Sequence, residues 1–578
     1  MTFSLGEVIY ADISAGAHFR VYPAHLSEYP DAGRGTYPYM LHRQRLGRLA
    51  GRLSESLMPD ALLHLIGMPP VGTGHCQRLG KYLTLTFGVG AYHLAGLQDI
   101  SVVNLWKTEK KAANIWFIWR KVVNLHSKRW RKVVKQSPKT LRKVVIMLRR
   151  KVLPQIEEWH QGGCRKALLL TGARQVGKTT VVREFAKQHY AHFVEVNFVK
   201  RPIAQKAFDG DLDTKTIITN LSAMGFGPFV EGKTLVFLDE IQECPNARTA
   251  IKFLVEEHTY DFIESGSLLG INYKPVPSYP VGYEEEIAMF PFDFEEFLWA
   301  NGISDQVFDV LRDSYLHETP VPDFIHQQMS QYYRQFLAVG GMPEAVQTFV
   351  NNPDFRAVEK VHRSILTTYR ADITQYAGKD QVLVKRVFDA IPSELAKEDK
   401  RFILADLEKG ASRRKYEDPT QWLIDAGIAY YSFNTAAFEL PFEATENRKL
   451  YKLYMVDTGL LGSILLKGIQ FQVLSGDISV NEGALTENYV ACALSAKGIS
   501  LHYYDKNSKQ ELDFIIEEQN KITVIEVKSG EKYKKHASLD AAVKDYTDKI
   551  HRSIVLSRYN VSRKDDVLYL PLYMTIFI

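Results

Sequence analysis

Residues 167–180 read ALLLTGARQVGKTT. The apolar run Ala167 to Leu170 has the composition of a strand buried on both faces. The chain then bends at Gly172 and Gly177 and presents Lys178 with the hydroxyls of Thr179 and Thr180. Gly172 to Thr179 fits G-x-x-x-x-G-K-[ST], and an amphipathic helix with Val181, Val182, Phe185 and Ala186 on one face follows it. The glycines let the amides of Ala173, Arg174, Gln175, Val176 and Gly177 turn toward phosphate oxygens, and the helix adds the positive end of its dipole. Lys178 is expected to reach the β- and γ-phosphates of ATP, with the Thr179 hydroxyl on Mg2+. Gly172 through Thr180, together with Ser265, form the expected nucleotide-binding set. No base-reading motif is visible, so GTP stays open beside ATP.

A second element belongs with the loop. TLVFLDE, residues 234–240, is an apolar strand that ends in Asp239 and Glu240. In a doubly wound sheet its tip comes beside the phosphate loop, where Asp239 is expected to hold Mg2+. Glu240 would deprotonate an attacking water, with Lys178 as its catalytic partner on the phosphates. The next strand ends in ESGS, residues 264–267, where Ser265 is placed to sense the γ-phosphate; a turn-forming Ser-Gly explains the same residues. Strands and helices alternate from Ala167 to about residue 305, the pattern of βαβ units around a parallel sheet. Helices dominate from there to about 380. Residues 381–445 read as helices followed by a hairpin, IAYYSFNTAAFEL, suggesting a winged helix, and the remaining residues return to mixed α/β.

Composition bounds the class. The 578 residues are 46% hydrophobic and 24% charged, a globular profile with room for several domains. The formal charge of +5 is local: residues 105–152 hold 16 Lys and Arg against Glu109 alone, whereas residues 153–578 hold 48 against 59 Asp and Glu. The basic segment carries RKVV at Arg120, Arg131 and Arg142, an 11-residue repeat. Pro138 interrupts any continuous helix through it, and the unit has the character of a translated tandem repeat. Met147 is therefore expected to open the folded core, leaving 1–146 as an unassigned extension. Cys76, Cys164, Cys244 and Cys492 form no C-x-x-C pair, which fits a reducing cytoplasm, and no run is long and apolar enough for a membrane span.

Taken together, LLLTGARQVGKTT, LVFLDEIQECPNA, ESGSLLG, SYPVGYEEEIAMFPFDFEEFLWANG, VGGMPEAV and KLYMVDTGLLG resemble a family of prokaryotic AAA-type ATPases with a C-terminal domain of unknown function. The resemblance covers about residues 147–578. It implies an ATPase core at 147–305, a helical lid at 306–380, a winged-helix segment at 381–445 and a restriction-endonuclease-like domain at 446–578. Many relatives carry an arginine after the PVG turn where this chain has Tyr283, which leaves the source of any arginine finger open, and with it a homo-oligomer.

The last domain adds a second candidate site. The E-x-K of TVIEVKSG, Glu526 and Lys528, lies on a strand whose period of two puts both side chains on one face. In the upstream strand ELDFIIE, Leu512, Phe514 and Ile516 are expected on one side and Asp513 on the other. A helix from Gly483 to Lys497 carries Glu487. These four resemble the PD-(D/E)xK nuclease constellation, in which Asp513 and Glu526 supply hard oxygens for Mg2+, Lys528 activates water and Glu487 completes the shell. Lys409, Arg413, Arg414 and Lys415 lie near a candidate recognition helix for DNA or another nucleic acid. The leading expectation is an ATPase coupled to a nuclease-like domain that engages nucleic acid. The alternative is a nucleotide-dependent switch or scaffold whose end domain binds a protein partner without catalysis.

Overall fold

The computed structural model describes three strands before residue 148 and residues 148–578, apart from 164, 268–276, 467–481 and 507–509. The RKVV repeat and Met147 lie outside the described residues. The chain divides into two compact units, 1–144 and 145–578. In the first, β1 (Glu7–Asp12) pairs antiparallel with β2 (His18–Pro23) and parallel with β3 (Thr86–Phe87).

The second unit opens with α1 (Val152–Gln161), which buries Val152, Ile156 and Trp159 at helical spacing. Next come β4 (Ala167–Gly172), α2 (Lys178–His189), β5 (His192–Asn197), α3 (Thr214–Ala223), β6 (Thr234–Asp239), α4 (Pro245–Glu256), β7 (Asp261–Ser265) and β8 (Glu284–Met289). The five strands form one parallel sheet in the order β5-β6-β7-β4-β8. Strands β4 and β6 are buried along their whole length, as a sheet covered by helices on both faces requires. The register pairs Asn197 with Asp239 and Asp239 with Ser265, so three strands end level at one edge of the sheet. Polar residues needed at one site are thereby brought there by backbone pairing alone.

After β8 the chain becomes helical: α5 (Phe294–Ala300), α6 (Asp305–Leu316), α7 (Asp323–Val339), α8 (Pro343–Asn351), α9 (Phe355–Tyr376), α10 (Gln381–Leu395) and α11 (Arg413–Asp425). A capping box starts α5, with Asp293 accepting from the Glu296 amide at 2.9 Å and Glu296 accepting from the Asp293 amide at 3.1 Å. Such a cap contributes about 1 kcal/mol.

The remainder is β9 (Ala429–Thr435), β10 (Glu446–Met455), α12 (Thr458–Leu466), α13 (Glu482–Ser495), β11 (His502–Asp505), β12 (Glu511–Glu518), β13 (Lys521–Lys528), α14 (Ala537–Asp545), β14 (Ile550–Ser557), β15 (Ser562–Lys564) and β16 (Val567–Pro571). Its eight strands form a mixed sheet in the order β10-β9-β11-β12-β13-β14-β16-β15. This geometry corrects the winged-helix expectation. Helices α10 and α11 do precede a hairpin, but its second strand is β10, beyond residue 445, and β9 pairs parallel with β11 on its other edge. The hairpin is the outer part of the C-terminal sheet, with no freestanding wing.

The alternation expected for ELDFIIE also breaks. Tyr504 pairs with Leu512 and His502 with Ile515, so β12 carries one extra residue, a β-bulge. Leu512 and Ile515 pack in one cluster while Phe514 and Ile516 pack in the other, with Leu485 and Tyr489 of α13. The bulge turns the consecutive Asp513 and Phe514 toward the same face.

Among the described residues no helix is long and apolar enough to cross a membrane.

Candidate functional site

The phosphate loop joins β4 to α2. Gly172, Gln175 and Gly177 have φ of +140°, +68° and +98°, the left-handed region that lets successive amides face inward. A Cβ at Gly172 would collide with the carbonyl oxygen of Met289 on β8, so that glycine is also demanded by the neighbouring strand. Lys178 Nζ donates to the carbonyls of Gly172 at 2.9 Å and Ala173 at 3.0 Å. Burial pulls its ammonium down to about 8, against the opposing pull of Glu240 and Asp239.

Asp239 is buried at the tip of β6 and is surrounded by neutral donors. Thr179 Oγ1 lies 3.3 and 3.2 Å from its two carboxylate oxygens, Ser265 Oγ donates at 2.5 Å, and Asn197 Nδ2 donates at 2.7 Å. No ammonium or guanidinium among the described residues pairs with it. The carboxylate oxygens lie beside a hydroxyl on the loop, a donor set of hard oxygens that suits Mg2+. Glu240, next in the chain, has φ of +57°, a conformation that costs a non-glycine residue energy and recurs at functional positions. Its Oε2 accepts from Gln242 Nε2 at 2.6 Å. Thr180 lies exposed one residue beyond Thr179. The loop, Asp239, Glu240 and Ser265 are thus together at one sheet edge.

Two attachments of the loop have no counterpart in the motif. Arg174 forms an ion pair with Asp372 of α9, and its carbonyl accepts from Tyr369 Oη at 3.2 Å. Burial pushes the Asp372 carboxyl up, while Arg174 pulls it down. Arg150, the last arginine of the basic segment, is buried: it donates to Val176 O at 2.8 Å, Glu296 Oε1 at 3.0 Å and Phe290 O at 2.7 Å. A buried clamp among 16 cations has no signal in the sequence. The expected arginine position, Tyr283, donates its hydroxyl to Glu256 Oε1 at 2.7 Å.

The quoted family motifs meet at a seam beside the loop. Asp457 of KLYMVDTGLLG accepts from the Gly341 amide at 2.5 Å and the Leu460 amide at 2.9 Å, and Phe292 donates to Gly341 O at 2.7 Å. Burial raises the Asp457 carboxyl to about 6. A Cβ at Gly341 would strike the Phe292 backbone, so VGGMP, FPFDF and the Asp457 turn fit only with glycine there.

One family model agrees with the geometry of the phosphate loop. Residues 164–298 match the family model described as an AAA domain. This segment is an AAA-type P-loop domain. Residues 330–470 and 482–574 match two domains of unknown function, DUF8612 and DUF4143. No curated protein matches the chain. Among solved structures, the Walker-type ATPase PABY2304 of Pyrococcus abyssi is similar at 14% identity and a TM-score of 0.35, covering 55% of this chain and 96% of that one. Cdc6p from Pyrobaculum aerophilum is similar at 14% identity and a TM-score of 0.20, covering 59% and 97%. The RuvB Holliday junction branch migration motor of Thermotoga maritima is similar at 13% identity and a TM-score of 0.23, covering 49% and 89%.

The C-terminal candidates also come together, beyond the AAA domain. Glu487 of α13 is buried; its Oε1 accepts from Lys452 Nζ at 3.1 Å and Tyr454 Oη at 2.5 Å, and its Oε2 lies 2.5 Å from Lys400 Nζ. Burial works to raise this carboxyl, yet Lys400 and Lys452 hold it at about 2. Asp513 accepts from the Val527 amide at 2.8 Å; burial and Glu487 raise its carboxyl. Glu526 Oε1 lies 2.5 Å from Lys528 Nζ, and burial together with Asp513 lifts its carboxyl to about 8. Sequence reasoning placed these four but missed Lys400 and Lys452. Among the described residues, no group of three or more His, Cys, Asp and Glu side chains is arranged to hold a metal ion.

The basic residues near the candidate recognition helix are partly engaged by acids. Arg413 donates to Glu417 at 2.9 Å, and Lys415 pairs with Glu408; Lys409 and Arg414 face solvent.

Proposed function

We propose that this chain is a Mg2+-dependent ATP hydrolase that works as a nucleotide-driven switch. The carrying observation is the level edge of the parallel sheet, where Lys178, Thr179, Asp239 and Glu240 converge on the phosphate loop. Loop amides and the start of α2 would bind the phosphates. Lys178 would leave the Gly172 and Ala173 carbonyls for the β- and γ-phosphates, whose charge restores its proton affinity. Thr179 and Asp239 would hold Mg2+, which neutralises phosphate charge when bound. Glu240 would take the proton of the attacking water as the bond from the γ-phosphorus to the β–γ bridging oxygen breaks and ADP leaves.

Transmission would run through Arg174. Arg174 belongs to the phosphate loop and its guanidinium pairs with Asp372 of α9, so bound phosphates would compete with Asp372 for one cation. Loss of that pair would free α9 to move. Phosphate release should fall to background in Lys178→Ala, and ATP binding without turnover should persist in Glu240→Gln. Undiminished turnover in both variants would remove the proposal.

Of the two readings of the end domain, nuclease or binding module, the burial of Lys452 among its carboxylates favours the binding module. The engagement of Arg413 and Lys415 by Glu417 and Glu408 points the same way, toward a protein partner. Plasmid and single-stranded DNA incubated with the protein, ATP and Mg2+ or Mn2+ should stay intact while ATP turns over. Cleavage that disappears in Asp513→Ala would establish the nuclease reading instead.

A further inference from the structure

The nuclease resemblance brings with it a divalent cation among Glu487, Asp513 and Glu526. The residue types are those it requires, but the three side chains are not arranged to hold a metal ion, and a lysine of the protein itself lies among the carboxylates. Lys452 lies on β10 with no solvent exposure. Its Nζ is 2.9 Å from Glu511 Oε1, 3.1 Å from Glu487 Oε1 and 3.9 Å from Asp513 Oδ1. On another side it faces the Tyr503 ring at 5.0 Å from the centroid, an arrangement that favours a cation. Lys400 takes the second oxygen of Glu487 and Lys528 takes Glu526, so three ammonium groups face four carboxylates.

One buried cation gathered by carboxylates from a helix and a strand is the charge pattern of a hard-metal site with an ammonium at its centre. A divalent ion entering here would have to expel Nζ, and Lys452 is fully buried with the Tyr503 ring facing it. It would also leave that ammonium buried without partners, which costs several kcal/mol.

We propose that the Lys452 ammonium fills the cation position of this cluster, so that the C-terminal domain takes no divalent metal there and keeps the constellation as an ion-paired junction. The junction ties together the segment after α10 through Lys400, the hairpin through Lys452, α13 through Glu487, and β12 and β13 through Glu511, Asp513 and Glu526. This deepens the reading of the end domain as a non-cleaving module, and it is tested by metal uptake, separately from DNA cleavage or ATP turnover.

The experiment counts bound Mn2+ by electron paramagnetic resonance on the full chain without nucleotide. Wild type, Asp513→Asn and Glu511→Gln should take up the same amount. Lys452→Ala should gain one Mn2+ per chain, lost again in Lys452→Ala/Asp513→Asn. A wild-type chain that loses a bound Mn2+ on either carboxylate substitution overturns the proposal, as does a folded Lys452→Ala chain that gains none. The wild-type comparison decides the matter even where Lys452→Ala does not fold. Mn2+ uptake without DNA cleavage would remove this inference and leave the binding-module reading standing.

Discussion

Two regions of this molecule bury carboxylates, one at the tip of a strand and one on a helix packed against a sheet, and treat them in opposite ways. At the edge of the parallel sheet, Asp239 is met by a threonine, a serine and an asparagine, all neutral donors. In the mixed sheet, Glu487 is met by two lysines and a tyrosine. Neutral donors orient a carboxylate and leave its charge for an ion, whereas ammonium groups cancel the charge. Residue types shared by two sites therefore lead to opposite expectations for metal, and the difference lies in what stands next to the acid.

The largest effect expected from this contrast is at the first site. Asp239→Asn should lower ATP turnover by about a hundredfold or more, because the substitution removes the negative charge proposed to hold Mg2+. A steady-state phosphate-release assay reads the change, and retained activity would mean that Asp239 does not serve the metal.

At the second site the effect should appear in stability. Lys452→Met should destabilise the chain by about 3–5 kcal/mol, since it strands buried carboxylates, and adding Glu487→Gln should recover part of the loss. Urea unfolding of the two variants checks this; additive losses would show that the two side chains do not act as a pair.

A smaller effect is expected where the loop meets α9. Asp372→Ala releases Arg174, whose side chain is 45% exposed, so the pair is partly screened. ATP affinity measured by calorimetry should rise by about two- to fivefold, within the range of a partly exposed ion pair. Weakened binding would show that Asp372 orders the loop and does not compete for Arg174.

The smallest effect concerns pH. Glu526 is raised from 4.5 to about 8, chiefly by burial. Between those values the unfolded chain has lost the proton that the folded chain keeps, so this group makes stability fall as pH rises from about 4.5 to 8. Glu526→Gln should flatten that slope in denaturant midpoints recorded across the window.

How much of this was legible followed sequence distance. The loop is nine contiguous residues, and Asp239 is marked by the end of an apolar strand, so local pattern located both. The parallel sheet followed from strands alternating with helices. The latch between Arg174 and Asp372 spans 198 residues and joins two ordinary charged side chains, so only the fold reveals it. Arg150 was hidden for another reason, since a buried arginine at the end of a basic run looks like its exposed neighbours. In ELDFIIE the bulge defeated the period-two reading and moved Asp513 onto the face of α13. The hairpin of the supposed wing was assigned to the wrong domain because residues 429–435 give no hint that their second neighbour is β11. Lys452 did leave a trace: it is the sole charge in LYKLYMV, residues 450–456. A charge inside an otherwise apolar run is a candidate for burial with partners, and the acids Glu487 and Asp513 were already singled out.

The account is tested most directly by the number of divalent ions the full chain holds in the presence of a non-hydrolysable ATP analogue. It predicts one nucleotide-dependent Mn2+ per chain, lost in Asp239→Asn and unchanged in Asp513→Asn. A second ion that Asp513→Asn removes, or a nucleotide-dependent ion indifferent to Asp239→Asn, would contradict it.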